Sequence, residues 1–340
     1  MMTTQLRGIA SNDFISSPFR TLGSLKIRSA RRKVRHRDGS LLVVTLWLVT
    51  ILSVLAVAIA RYLSVEVRLT KYRLAREQAK ALARSGVYLA IQRLMADATE
   101  GKPTYEPYDW LGDEWAIQQD PIISGVTQVS VSVTDEDRKL NINAITQPVL
   151  ERLGVQSEQA GAIIDYIDVD QETPTVQPPY YPKNGPISAL EELLDIPGLD
   201  SETQDMLQRE LTTFTTPTTP PTLNINTVEE RVLVALNADR AIANQLVSSR
   251  PGDNGIFGDD DDCRATSQTN AGNELSACAF RGGSGSELDA LMTLANFTVV
   301  SSTFRIRTEA FVEASKVRYR IDAVVQRSNP PVILSWREGT

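Results

Sequence analysis

Residues 40–60 read SLLVVTLWLVTILSVLAVAIA, 21 consecutive residues without a charge. As a helix, such a run is long enough to cross the roughly 30 Å hydrocarbon core of a bilayer. The 39 residues before it hold nine Lys or Arg against only Asp13 and Asp38. Positive charge stays on the cytoplasmic side, so the N-terminus is expected inside and residues 61–340 outside. A cleaved signal peptide is the rival reading, with Ala58 and Ala60 as its small-x-small site. This run is longer than the apolar core of a signal peptide and continues into a charged helix, which favours a retained single-pass span.

The chain carries a formal charge of -7, but residues 61–340 alone hold 26 basic against 40 acidic residues, a net -14. A domain that acidic repels phosphate backbones and argues against nucleic acid as a partner. The one histidine, His36, lies in the basic leader, so histidine-based acid–base or triad chemistry is excluded from the rest. No Ser/Lys or Cys/His arrangement emerges either, and an enzyme is not expected. Cys263 and Cys278 lie 15 apart in a Gly/Asp/Asn/Ser-rich loop, where a loop-closing disulfide is expected on the far side of the membrane.

From Arg61 onward, Leu63, Val67, Leu74, Leu82, Val87, Ile91 and Leu94 recur at roughly helical spacing, and no proline occurs until Pro103. Span and continuation therefore read as one helix over 40–97, on the order of 85 Å long at about 1.5 Å per residue. Residues 98–125 form a Pro- and Gly-containing connector. VTQVSVSV (126–133) and the stretches 297–314, 316–327 and 331–338 alternate with period two and read as strands, with a hairpin around Ala314-Ser315-Lys316. Residues 141–295 are helix-like, with Asn or Thr caps before acidic first turns, as in Asn226-Thr227-Val228-Glu229-Glu230. TTFTTPTTPPT (212–222) reads as a linker between two helical subdomains.

The expected fold class is α+β: a long N-terminal transmembrane and amphipathic helix packed on a small antiparallel sheet, with a large inserted all-α domain. The boundaries are a leader at 1–39, a span at 40–60, its amphipathic continuation at 61–97, a first sheet segment with connector at 98–140, the helical insertion at 141–295 and C-terminal strands at 296–340.

Two acidic clusters are candidate calcium ligands, since Ca²⁺ takes six to eight oxygens. One is Asp165, Asp168, Asp170 and Glu172; the other is Asp259, Asp260, Asp261 and Asp262. A helix end and a solvated acidic loop are the alternatives. LEELLDIPGLDSE (190–202) resembles a helix-hairpin-helix turn, which in a membrane-anchored DNA receptor would bind phosphates through backbone amides. Asp200 and Glu202 beside that turn repel phosphate, so packing is the preferred reading.

A basic leader ending in glycine, a span starting one residue later and a continuous amphipathic helix resemble a type IV pilin-like prepilin. The resemblance implies cleavage after Gly39 by a prepilin peptidase and N-methylation of Ser40. Pilins carry Glu at the fifth mature position to neutralise a neighbour's N-terminal ammonium; here that position is Val44, which suits the end of a fibre rather than its shaft. The chain is similar in this to general secretion pathway protein K, the large minor pseudopilin of type II secretion. VTDEDRKLNINAI (133–145), IIDYIDVDQET (163–173), YYPKNGPISALEELLDIPGL (180–199) and TLNINTVEERVLVAL (222–236) resemble that family's segments in order. The long leader, Ser40 and TPTVQPP (173–179) in place of the family's Gly-Ala-Glu are departures.

The family implies a single pass in a bacterial inner membrane with a periplasmic C-terminal domain, and a non-enzymatic place at the tip of the pseudopilus. It implies calcium in the helical domain. Expected partners are other minor pseudopilins, met through the helix from Tyr62 to Met95 with Leu63, Val67 and Leu74, together with the peptidase and the inner-membrane secretion platform. The outer-membrane channel or the secreted substrate are further expected contacts.

Overall fold

The computed structural model describes residues 38–99, 107–117, 121–124, 127–169, 183–280 and 285–339. Helix α1 (Asp38–Asp97) is unbroken over 60 residues. The chain divides into two units at Ser64/Val65. In the first unit every side chain described is exposed, and the helix is long and apolar enough to cross a membrane.

In the second unit α1 starts to bury side chains only at Ala75, followed by Ala79, Ala83, Val87, Ala90, Ile91 and Leu94. Small residues four apart form a smooth stripe that lets a helix lie close to a sheet. At Gly86 the approach is tight, because a Cβ there would stand 3.1 Å from Thr308 Cγ2 and from Val131 Cγ2. The apolar positions nearer the span, Leu63, Val67 and Leu74, stay exposed. The buried face is thus built of alanines that an apolar-spacing argument reads past.

The sheet under α1 has the order β1-β2-β7-β8-β9. Its strands are β1 (Ile122–Ser124), β2 (Thr127–Asp135), β7 (Thr303–Val312), β8 (Val317–Gln326) and β9 (Val332–Gly339), all antiparallel. Val129, Phe304, Ile306, Ala310, Tyr319, Ile321 and Ala323 meet the helix, and Trp115 packs edge-on against Phe304 with ring centroids 5.0 Å apart. At the outer strand Glu338 accepts from Arg84, Tyr319 and Trp336 and pairs with Lys80, pinning β9 to α1.

β2 and β7 are neighbours in the sheet but stand far apart in sequence, and the helical part fills the interval. It contains β3 (Leu140–Asn141), a 3₁₀ turn Ile142–Ala144, α2 (Gln147–Leu153), α3 (Ser157–Ile167), a 3₁₀ turn Leu190–Asp195, α4 (Ser201–Glu210) and β4 (Leu211–Thr212). It continues with β5 (Thr222–Asn224), α5 (Glu230–Ala235), α6 (Arg240–Ser248), α7 (Ala271–Cys278), α8 (Gly285–Met292) and β6 (Asn296–Thr298).

These elements form two halves of the same plan. Each opens with Leu-Asn-Ile-Asn, at 140–143 and 223–226, runs through helices, and closes with a strand that pairs parallel to the opening one. An offset of 83 superposes 140–167 on 223–250, with eight of 28 residues identical. Gly154 and Asn237, both left-handed, end the first helix of each half at matching places.

Two expectations are corrected here. Residues 212–222 do not separate two subdomains: one buried cluster runs from Leu140 to Val299 and draws on both halves. Residues 297–314 are not one strand, because β6 belongs with β5 and the chain leaves regular structure before β7 begins. The break at 299–302 carries hydrogen bonds to the connector, which a ladder would have consumed.

Candidate functional site

The sheet and the helical part meet at buried carboxylates. Asp109, in the connector after α1, accepts from Arg327 at 2.7 Å and from Ser301 N at 2.6 Å, and its carbonyl accepts from Asn224 and Asn226 Nδ2. Arg327 also reaches Asp97 at the end of α1. One aspartate therefore ties α1, the connector, β8 and the second half together. Asp97, Asp109 and Asp113 converge as metal ligands could. Arg327 already supplies the positive charge, and Asp113 accepts from Trp110 N and Trp115 Nε1, so the cluster is a structural junction.

Two further buried acids take opposite directions. Burial and then the Asp137 charge raise Asp135 to about 7, although Ser301 and Thr227 donate to it at 2.6 Å. Burial alone would also raise Glu136, but Lys139 and Arg305 overcome it and hold Glu136 at about 2. None of these junction residues stands out in sequence. The signal available was Asp109-Trp110 inside a Pro/Gly connector, and the acidic turn Asp135-Glu136-Asp137 just before the first Leu-Asn-Ile-Asn.

Asn226 and Thr227, expected as helix caps, are not caps: α5 starts at Glu230 with Glu229 at its N-cap. Asn226 instead clamps Ala265, donating to its carbonyl and accepting from its N–H, each at 2.8 Å. Asn143 does the same to Ile187, at 2.9 and 2.7 Å.

Of the first acidic cluster, Asp165 lies in the last turn of α3 and Asp168 is its C-cap, while Asp170 and Glu172 fall outside the described residues. In the second, Asp259, Asp261 and Asp262 bring oxygens within 4.8 Å of one another, and Asp260 is not part of the group. The loop folds around these carboxylates. Asp261 accepts from Asp253 N and Asn254 Nδ2, and Asp262 Oδ2 accepts from Gly258 N and Asp259 N. Gly252, left-handed at φ +61°, leaves the space that Asp261 fills, since a Cβ there would collide with its carboxylate.

The hydrogen bond between the Asp259 and Asp261 side chains raises the first carboxyl above its ordinary range and lowers the second. Asp262 Oδ1 is buried and has no hydrogen-bond partner among the described residues. An all-oxygen donor set with one orphaned buried oxygen fits a hard divalent cation such as Ca²⁺. Cys263, next in sequence, is joined to Cys278 by a disulfide.

Gly39 and Ser40 lie in the first turn of α1, so the bond between them is helical rather than extended in the uncleaved chain. Val44, Leu63, Val67 and Leu74 are all exposed. The 190–202 segment does form a turn, with Gly198 left-handed, but Asp200 caps α4 by accepting from Thr203 N at 2.8 Å. The amides that would hold a phosphate already hold a carboxylate.

No family model and no curated relative matches the sequence. Among solved structures, a chain of the crystal structure of the GspK-GspI-GspJ complex from the enterotoxigenic Escherichia coli type 2 secretion system is similar at a TM-score of 0.55 and 19% identity. The match covers 80% of this chain and 99% of that chain. The protein therefore has the pilin-like α+β fold of a subunit of that complex.

Proposed function

We propose that this protein is a non-enzymatic minor pseudopilin at the tip of a type II secretion pseudopilus. It would support assembly of the pseudopilus and export of folded proteins from the periplasm across the outer membrane. One observation carries the reading. A membrane-length helix without charge continues into an alanine-faced half packed on an antiparallel sheet, and a large helical insertion departs between neighbouring strands of that sheet. The exposed apolar stretch of α1 up to Leu74 would seat the helices of companion pseudopilins. The shared fold with a subunit of a complex of three such proteins supports this reading.

In this reading Gly39–Ser40 is the processing site, the acidic domain is periplasmic, and Val44 leaves the subunit unable to neutralise the terminus of another above it. Ca²⁺ would bind the acidic loops of the helical part. The decisive experiment removes the gene and follows a folded secreted protein. Its accumulation in the periplasm, reversed by re-expression, is the expected result; unchanged secretion together with an intact Met1 terminus by mass spectrometry would end the proposal.

A further inference from the structure

A cleft of about 850 Å³ opens where the two halves of the helical part meet. Five arginines line it: Arg138, Arg152, Arg231, Arg240 and Arg250. Residues 98–340 hold only 18 basic against 37 acidic residues, so this concentration runs against the local charge balance. Arg152 on α2 donates to Ala235 O at the end of α5, and Arg231 on α5 donates to Leu153 O at the end of α2. These reciprocal bonds go to backbone carbonyls, and among the described residues neither guanidinium forms a salt bridge.

Arg250 decides the matter. It is only 4% exposed and takes the place that Ile167 holds in the first half. One of its nitrogens donates to Ile225 O at 2.9 Å, while its Nε is buried without a partner. Arg138 Nε beside it is orphaned in the same way among the described residues, and Arg138 pairs with Glu229 at 3.0 Å. Burial and then the Arg138 charge pull Arg250 down to about 9.

The cleft sets three glutamates against five arginines, which leaves its lining with an excess of positive charge. Glu229 is engaged by Arg138, Glu230 accepts from Asn244, and burial followed by Glu229 raises Glu210 against the opposing pull of Arg231, Arg138 and Arg209. A buried guanidinium such as Arg250, with an unmade hydrogen bond and no salt bridge among the described residues, is costly. An anion presenting two or more oxygens in the cleft, which both Arg138 and Arg250 line, would supply the opposite charge and further acceptors for these guanidinium groups.

We propose that the cleft is an oxyanion site, taking a phosphate or a carboxylate group between Arg138 and Arg250. The test uses the full chain in detergent micelles, titrated calorimetrically with inorganic phosphate, citrate and a short aspartate-rich peptide, with chloride matching ionic strength. Saturable binding of at least one of these is expected, weakened about tenfold or more by Arg250→Met and by Arg138→Gln, since a charge-assisted bond is lost in each. Tighter phosphate binding would name a phosphate ligand; tighter peptide or citrate binding would name a carboxylate. Circular dichroism identifies a variant that fails to fold, and the other variant then carries the test. Binding no stronger than chloride, or equal binding by wild type and folded variants, would overturn the proposal.

Discussion

The two halves of the helical part begin with the same Leu-Asn-Ile-Asn and put it to different depths. In the first, Asn143 clamps Ile187 at a half-buried site, and Ala144 follows. In the second, Asn224 and Asn226 are buried, both reach Asp109, and Thr227 in place of Ala144 reaches Asp135. The same local geometry thus serves as an internal staple in one half and as the joint with the sheet in the other. The difference shows how a duplicated unit is fixed to a scaffold: polar groups added to the repeat's own turn find buried partners across the boundary.

If that is so, the matching asparagines should not cost the same. Asn226→Ala would orphan the N–H and carbonyl of Ala265 and remove a donor from the Asp109 carbonyl, all buried. At about 1–3 kcal/mol per stranded group, a loss of roughly 3–5 kcal/mol is expected. Asn143→Ala, with water nearby, should cost about 1–3 kcal/mol. Urea denaturation of the full chain in micelles measures both, and equal losses would break the comparison.

A second asymmetry is covalent, since the disulfide Cys263–Cys278 lies in the second half and closes a sequence separation of 15. Opening it by reduction should lower stability by on the order of 3 kcal/mol. Hydrogen exchange should then rise around 251–280 and not around 147–167. Exchange rising equally in both halves would mean that the shared core transmits the loss.

How much of this was legible in sequence follows from which interactions are local. α1 follows from the uncharged span, the helical apolar spacing after it and the absence of proline, and β2, β8 and β9 from period-two alternation. The alanine stripe from Ala75 is less legible, because alanine is ambiguous between a helix surface and a close contact. Two-residue parallel strands and the joint through Asp109 depend on partners far apart in sequence, such as Asn224 and Ser301. The repeat is announced by two Leu-Asn-Ile-Asn segments, yet only eight of 28 positions agree, which makes it easy to pass over. The Asp259–Asp262 group was readable as four adjacent acids. That Asp260 stands outside the group is a matter of loop geometry, which includes left-handed glycines at 252, 255 and 258, and is not written in the run of acids.

The acidic loops extend the comparison, since each follows the second helix of its half, α3 or α6. A cation that binds only the folded state stabilises by mass action, by about 2.7 kcal/mol at 100 times its dissociation constant. The melting temperature should rise with millimolar Ca²⁺ relative to chelator. Asp261→Asn with Asp262→Asn should remove the larger share of that rise, because Asp262 Oδ1 is the buried oxygen without a partner. Asp168→Ala with Asp170→Ala reports on the first loop. A rise unchanged in both double variants would place the ion elsewhere, and no rise in wild type would leave both loops as solvated acids.

The smallest expected effect concerns the hydroxyl that distinguishes Thr227 from Ala144. Thr227→Ala removes one bond to Asp135 and should cost about 1 kcal/mol. Its clearer sign is in the pH dependence. Asp135, raised to about 7 by burial and by Asp137, favours the folded state while protonated. An unfolded aspartate titrates near 4, so between about 4 and 7 the folded chain binds more protons and stability from this site falls as pH rises. Glu136 works in reverse: held at about 2, its contribution is present above about 4.5 and is lost as pH falls toward 2. Removing the Thr227 donor takes away an interaction that favours ionised Asp135, so the decline should extend to higher pH in Thr227→Ala and vanish in Asp135→Asn. Urea midpoints at pH 5 and pH 8 test this directly. Profiles of the same slope in wild type and Asp135→Asn would mean that the buried acid at the joint does not sense pH, and that the second half is held to the sheet by its amide clamps alone.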